Sequence, residues 1–440
     1  MNIANQITSL GLISKEDRIE LGKVSGSIWR REELTEGQLN HHVHIVGASG
    51  FGKTVLISHI VKDRILKNKG LLFIDLKGDI DTIDKFLGFA KEVNRLNDVE
   101  FFSLADMGMS TAYNLIQNGS ATQLRDKIML SLNWSEEFYK NQSASFLLKL
   151  LIGLCWLRDN INLTVSLGTI LSCTQSVDFI VALNERIPDN TGIIKRSFED
   201  CFHFLQSNDN FKSLQGLRTQ LESLILSDFG DLIAPSKNGI NLFESIKKQK
   251  LVFIFLDSRR YGETAKTVGK FILQDLKMVS SRIDAEVQKV NRIPFSVIID
   301  EFADLAQEDF IGFLDRARSS KMSIVVAHQE ICDLQRISPE FAGRLMGNTS
   351  TLYAFLQKRP ESAEIISKMG GTKKAWKETL SVERTWLFEH PTGGKSLREV
   401  EEFNIHPNLI KSLGVGKCAV VKKYPKSRAY LVNVAYGEPT

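Results

Sequence analysis

Short apolar runs that end at glycine or acidic residues alternate, in the first part of the chain, with stretches whose apolar residues recur at helical spacing. Residues 42–46 form a β-rich run that stops at a glycine loop, and 53–66 then place apolar side chains three and four apart. A second buried run, 70–76, closes on Asp75-Leu76-Lys77-Gly78-Asp79; a helix is predicted from about Asp79 and a third strand at 99–104. This strand, helix, strand alternation predicts an α/β fold built on a parallel sheet.

From 118 to 239 the pattern changes to helix after helix, with apolar faces at 128–130, 146–157, 163–171 and 214–226. Strand-type runs return at 251–256, 295–299, 323–327 and 351–355, separated by helical stretches near 265–281, 310–319 and 339–346, and a last pair, 418–422 and 429–434, flanks Tyr424-Pro425-Lys426-Ser427 as a hairpin. The expected organisation is therefore 1–117, amino-terminal strands and the first part of the α/β domain; 118–239, an inserted all-α domain; and 240–440, the second part of the α/β domain.

Composition changes this picture little. The 440 residues are 43% hydrophobic and 25% charged, with nine prolines, as in an ordinary globular protein. A net charge of +4 does not by itself announce a nucleic-acid binder, and residues 118–239, with 11 Lys and Arg against 13 Asp and Glu, argue against a DNA saddle over the whole helical surface. Five widely spaced cysteines without a CxxC pair disfavour a zinc site or a disulfide framework and suit a reducing cytosol. The sequence shows neither a signal peptide nor an apolar run near the roughly 20 residues a bilayer requires, so a cytoplasmic protein without a membrane span is expected.

The chemistry concentrates at strand ends. Gly47-Ala48-Ser49-Gly50-Phe51-Gly52-Lys53-Thr54 follows a strand and opens a helix, the setting a phosphate-binding loop needs. Its glycines let backbone N–H groups face inward, the helix terminus adds positive charge, Lys53 is expected to bridge the β and γ phosphates of ATP, and Thr54 to ligate Mg²⁺. Phe295-Ser296-Val297-Ile298-Ile299-Asp300-Glu301 is an apolar strand ending in two carboxylates: Asp300 suits the metal and Glu301 the orientation of the attacking water. Gln329 ends another buried run, where an amide either senses the γ phosphate or starts a helix. His41, His42 and His44 lack a matching ligand cluster, and alternation puts the last two on one strand face in a structural role; Phe101 and Phe102 read as core.

The order of these motifs resembles the TraD/TraG-like coupling ATPases of conjugation and type IV secretion, within the FtsK/HerA superfamily. The resemblance covers most of the chain and rests on His44-Ile45-Val46-Gly47, Phe73 through Asp79, the helical insertion, Ile299-Asp300-Glu301-Phe302-Ala303-Asp304-Leu305, and Ala327-His328-Gln329 followed by Gly347-Asn348. It implies a RecA-like P-loop motor with an inserted all-helical domain, assembled as a homo-oligomeric, hexameric ring that translocates DNA or couples it to a secretion machine. It also implies that Arg318 matches an arginine finger; residue type alone equally allows a solvated helix end. Relaxosome or secretion-channel proteins are the implied partners, with the protein peripheral at the inner membrane through them. The chain departs from the family in lacking membrane-spanning helices, in having only 46 residues ahead of Gly47 where HerA-like members carry a larger barrel, in Leu76 for a proline, and in Phe51 for a small residue. The alternatives are a motor of the same fold that handles protein, and a HerA-like motor of DNA processing or defence.

Overall fold

The computed structural model of the chain describes residues 18–384 and 389–434. In chain order the strands are β1 (Arg18–Val24), β2 (Arg31–Thr35), β3 (Val43–Val46), β4 (Gly70–Asp75), β5 (Val99–Ser103), β6 (Leu251–Phe255), β7 (Phe295–Ile299), β8 (Met322–His328), β9 (Thr351–Ala354), β10 (Thr372–Arg384), β11 (Glu389–Phe403), β12 (Lys417–Lys422) and β13 (Arg428–Val434). The chain divides into two compact units, one gathering residues up to Asp63, Ala306–Ile311 and those from Ile324 onward, the other Arg64–Leu305 and Gly312–Ser323.

In the first unit the strand order is β2-β1-β13-β12-β9-β3-β8. The first five strands pair antiparallel, and β3 runs parallel to both β9 and β8, with Val46 opposite Ala354 and His328. Every residue of β3 and β8 is buried, as expected of strands covered on both faces. Strands from both ends of the chain are locked here by one buried charge. Glu32 on β2, 1% exposed, pairs with Lys422 Nζ at 2.8 Å and accepts hydrogen bonds from Tyr353 at 2.7 Å and Tyr430 at 2.6 Å. A buried carboxylate persists because all of these partners answer it.

The second unit holds the parallel set β7-β4-β6-β5. Its strands are near-continuous apolar runs, and Phe73, Phe86, Phe253 and Phe255 pack ring against ring behind them. Phe101 and Phe102 lie in this core, as expected. Between β5 and β6 the chain is helical, from Ala121–Ser131 through Glu137–Ile161, Leu167–Gln175, Val177–Asn184, Ile193–Gln206 and Asn208–Ser213 to Gln215–Ile225. Ser120 and Gln123 form a capping box on the first of these, while Ser166 and Ser176 cap later ones. Helices Glu137–Ile161 and Ile193–Gln206 meet at Gly153, where a Cβ would lie 1.7 Å from the Phe198 ring. A buried ion pair, Lys127 to Asp275 at 2.7 Å, with Tyr113 donating to the other carboxylate oxygen at 2.5 Å, ties the first helix to the long helix Ser258–Glu286. Among the described residues no single helix is long and apolar enough to cross a membrane.

Two local expectations change. His42 is not in a strand: it stands in a turn with φ 65°, its N–H closing back on Leu39, because the chain must reverse after helix Glu36–Asn40. The antiparallel pair β10 and β11 has no counterpart among the expected strands.

Candidate active site

The phosphate loop belongs to the first unit. After β3, Gly47 N–H donates to His328 at 3.2 Å, Ala48 N–H donates to Leu356 at 2.9 Å, and Gly416 N–H donates to Phe51 at 3.0 Å. Gly50 and Gly52 have φ of 81° and 119°, a conformation costly for a side-chain-bearing residue. Phe355 forms the floor: a Cβ on Gly47 would come within 2.4 Å of Phe355 Cβ, and one on Gly52 within 2.9 Å of its ring. Lys53, 4% exposed, donates its ammonium to the carbonyls of Gly47 at 2.6 Å and Ala48 at 3.4 Å, while Ser49, Gly50 and Thr54 are exposed. A cation folded into a glycine cradle at the start of helix Lys53–Leu66 fits a polyphosphate.

Gln329 follows β8 and is exposed, its carbonyl accepting from the Gln357 amide at 3.2 Å. The strands that deliver the phosphate loop and Gln329 are joined by two buried imidazoles, His44 Nε2 and His328 Nε2, 2.6 Å apart. With His328 Nδ1 donating to the Glu330 carbonyl, His44 supplies the proton between them from Nε2. Burial, and then the neighbouring His328, hold His44 well below the ordinary imidazole pKa, so it stays neutral.

The carboxylates lie in the second unit, at the carboxyl ends of parallel strands, where α/β sheets place ligands. Asp300, 3% exposed, continues β7, its N–H donating to Ile74 at 2.9 Å and its Oδ1 accepting from Glu301 N–H at 2.9 Å. Glu301 is left-handed at φ 51°, unusual for a residue with a side chain. Lys77 reaches both, with Nζ 2.6 Å from Glu301 Oε1 and 3.5 Å from Asp300 Oδ2. Burial pulls the Lys77 ammonium down, but Asp300 and Glu301 more than reverse this, so its pKa lies above the usual value. Asp75 shapes the loop, accepting from Lys77 N–H and Gly78 N–H at 3.1 Å each. Burial, and then the Asp300 charge, push the Asp75 carboxyl up to about 6. Gly78, at φ 66°, is required because a Cβ would meet Asp257 at 2.9 Å.

Arg318 is exposed in the turn after helix Phe310–Ala317. The sequence pattern includes Lys77 and Asp75 in a motif without giving either side chain work, and it gives Phe355 only a place at the end of a strand-type run. A lysine two residues beyond a strand-end aspartate is the available signal for Lys77; for Phe355 there is none, since its contact is made across the sheet.

Residues 294–412 match the family model described as the TraM recognition site of TraD and TraG. The type 4 coupling protein DotL of Legionella pneumophila is 21% identical over 423 residues, covering 84% of this chain and 52% of DotL, so the chain spans about half the length of that relative. The bacterial conjugative coupling protein TrwB superposes with a TM-score of 0.69 at 16% identity over 95% of this chain and 89% of TrwB. TrwB in complex with ADP and Mg²⁺ gives 0.65 at 15% identity over 92% and 87%. VirB4 of Thermoanaerobacter pseudethanolicus gives 0.57 at 13% identity over 97% and 98%. The chain has the α/β fold of these P-loop ATPases, and its resemblance to the coupling proteins extends from motifs to architecture.

Proposed function

We propose that the chain is an ATP-hydrolysing motor that translocates DNA or couples it to a conjugation or type IV secretion machine. The phosphate loop carries this reading: a cradle of positive-φ glycines on Phe355, with Lys53 drawn into it, is already shaped for a triphosphate. In this reading residues 47–54 wrap the phosphates of ATP, Lys53 neutralises them, and Thr54 and Asp300 hold Mg²⁺, which supplies charge neutralisation at the transferred phosphoryl group. Glu301 orients and polarises water, Gln329 reads the γ phosphate, and Arg318 completes the site of a neighbouring subunit in a homo-oligomeric, hexameric ring.

Similarity to DotL and TrwB supports the coupling role. The match over 294–412 to a TraM recognition site supports docking to relaxosome proteins, and a cytoplasmic protein held at the inner membrane by its partners follows from that role. In this reading the helices within 118–239 face the polymer. ATP turnover, measured with single- or double-stranded DNA and without either, at 50 to 200 mM salt, tests the proposal. DNA is expected to stimulate turnover, steeply less so as salt rises, because each phosphate contact releases counterions. Turnover indifferent to both DNA forms at every salt overturns the DNA role and leaves a protein-handling motor.

A further inference from the structure

We propose that Lys77 is a latch on the hydrolytic carboxylates: without nucleotide its ammonium holds Glu301 and Asp300, and it must leave Glu301 before that carboxylate can act on water. This deepens the proposed function and rests on it for the role of Glu301. The chemistry follows from the 2.6 Å contact between Lys77 Nζ and Glu301 Oε1. A carboxylate oxygen that accepts a charge-assisted hydrogen bond from an ammonium is a poorer base and has lost a lone pair that water needs.

The surroundings confine the movement to the side chain. The backbone under Lys77 is clamped from two sides: Asp75 accepts its N–H and that of Gly78, and Leu76 accepts from Ser258 N–H at 2.7 Å. Gly78 seats the loop against Asp257 where no side chain fits. The Lys77 side chain is the most exposed of the three, 24% against 4% for Asp300 and 13% for Glu301, and its four-carbon stem keeps rotatable bonds that the backbone contacts do not fix. Its target is fixed in place, since Glu301 sits in a left-handed backbone conformation that surrounding contacts must maintain. Lys77 lets go when positive charge reaches Asp300 from elsewhere, because its ammonium, 3.5 Å from Asp300 Oδ2, is then repelled where it had been held.

Pulsed amine labelling of the whole chain, read at Lys77 by mass spectrometry, tests this. Labelling is expected to rise about tenfold when a non-hydrolysable ATP analogue and Mg²⁺ are added, the scale of losing one charged hydrogen bond. No rise is expected in Lys53→Ala. Glu301→Gln should raise labelling with no nucleotide present, and Lys77→Met should turn over ATP faster than wild type in the absence of polymer, whereas Lys77→Arg should not. Binding of a fluorescent ATP analogue is followed on the same samples. If nucleotide binds and Lys77 labelling is unchanged, or if unstimulated turnover of Lys77→Met stays at or below wild type, the latch is overturned. If nucleotide does not bind, the motor reading fails, while labelling of nucleotide-free Glu301→Gln still decides whether the ion pair protects Lys77.

Discussion

Lys53 and Glu301 carry opposite charges, and removing each should leave a different protein. Lys53→Ala deletes the ammonium that the loop carbonyls of Gly47 and Ala48 now hold, so nucleotide binding itself should be lost. Glu301→Gln keeps a polar group of the same shape, so binding should persist while turnover falls by roughly 10² to 10⁴; equilibrium binding and steady-state turnover separate the two, and native turnover in Glu301→Gln would refute its role. Asp75 makes a prediction about pH. Its carboxyl titrates near 6 in the folded chain, above the ordinary 3.8, so the folded state holds a proton that the unfolded state has already released. Stability should therefore fall as pH rises from about 4 to about 6, with a cost of order 2 to 3 kcal/mol above that window. Urea unfolding of Asp75→Asn should lack that part of the slope, and identical pH dependence in both proteins would show that Asp75 is not its source. Lys53, Thr54, Asp300 and Glu301 are legible in the sequence because each stands at a fixed offset from a strand end. The work of Lys77 is not, because its meeting with Glu301 joins two loops far apart in the chain.

At the scale of elements, close approach decides what a position tolerates. Gly153 lies under the ring of buried Phe198, so Gly153→Ala must displace an aromatic side chain with nowhere to go and should cost about 1 to 3 kcal/mol. Gly216, in helix Gln215–Ile225, has open space where a Cβ would stand, with no atom within 4 Å, and Gly216→Ala should be neutral or stabilising by up to about 1 kcal/mol. Thermal unfolding of the two variants checks the contrast, and equal shifts would count against the packing account. The buried strands β3, β4, β6, β7 and β8 are readable as apolar runs because both their faces are covered. The β10–β11 pair is not, since Lys373, Lys374 and Trp376 are all exposed and the stretch offers no apolar alternation to detect. His42 reads as strand from sequence because a turn residue beside a strand has the same composition as the strand.

At the scale of the whole molecule, the exposed Arg318 belongs to the question of assembly. A guanidinium that spreads over developing phosphoryl charge is worth on the order of 10³ to 10⁵ in rate, and a ring can lend it across an interface. Arg318→Ala and Lys53→Ala chains, each inactive alone, should regain part of their ATPase activity when mixed under subunit exchange, because some interfaces then pair an intact phosphate loop with an intact Arg318. A mixture that assembles yet stays dead at every ratio defeats that assignment. The first unit has a further consequence, which concerns time. Its sheet pairs β1 with β13, the Glu32 charge is answered from Lys422 and Tyr430, and the phosphate loop receives a hydrogen bond from Gly416. During synthesis the loop therefore leaves the ribosome long before the segments that brace it, a wait of roughly 20 to 70 s at about 5 to 20 residues per second. The second unit is made almost entirely within that interval and can fold while the first waits. A nascent chain should thus acquire its carboxylates before its nucleotide cradle, and a ribosome stalled ahead of Gly416 should display a folded second unit with no grip on ATP.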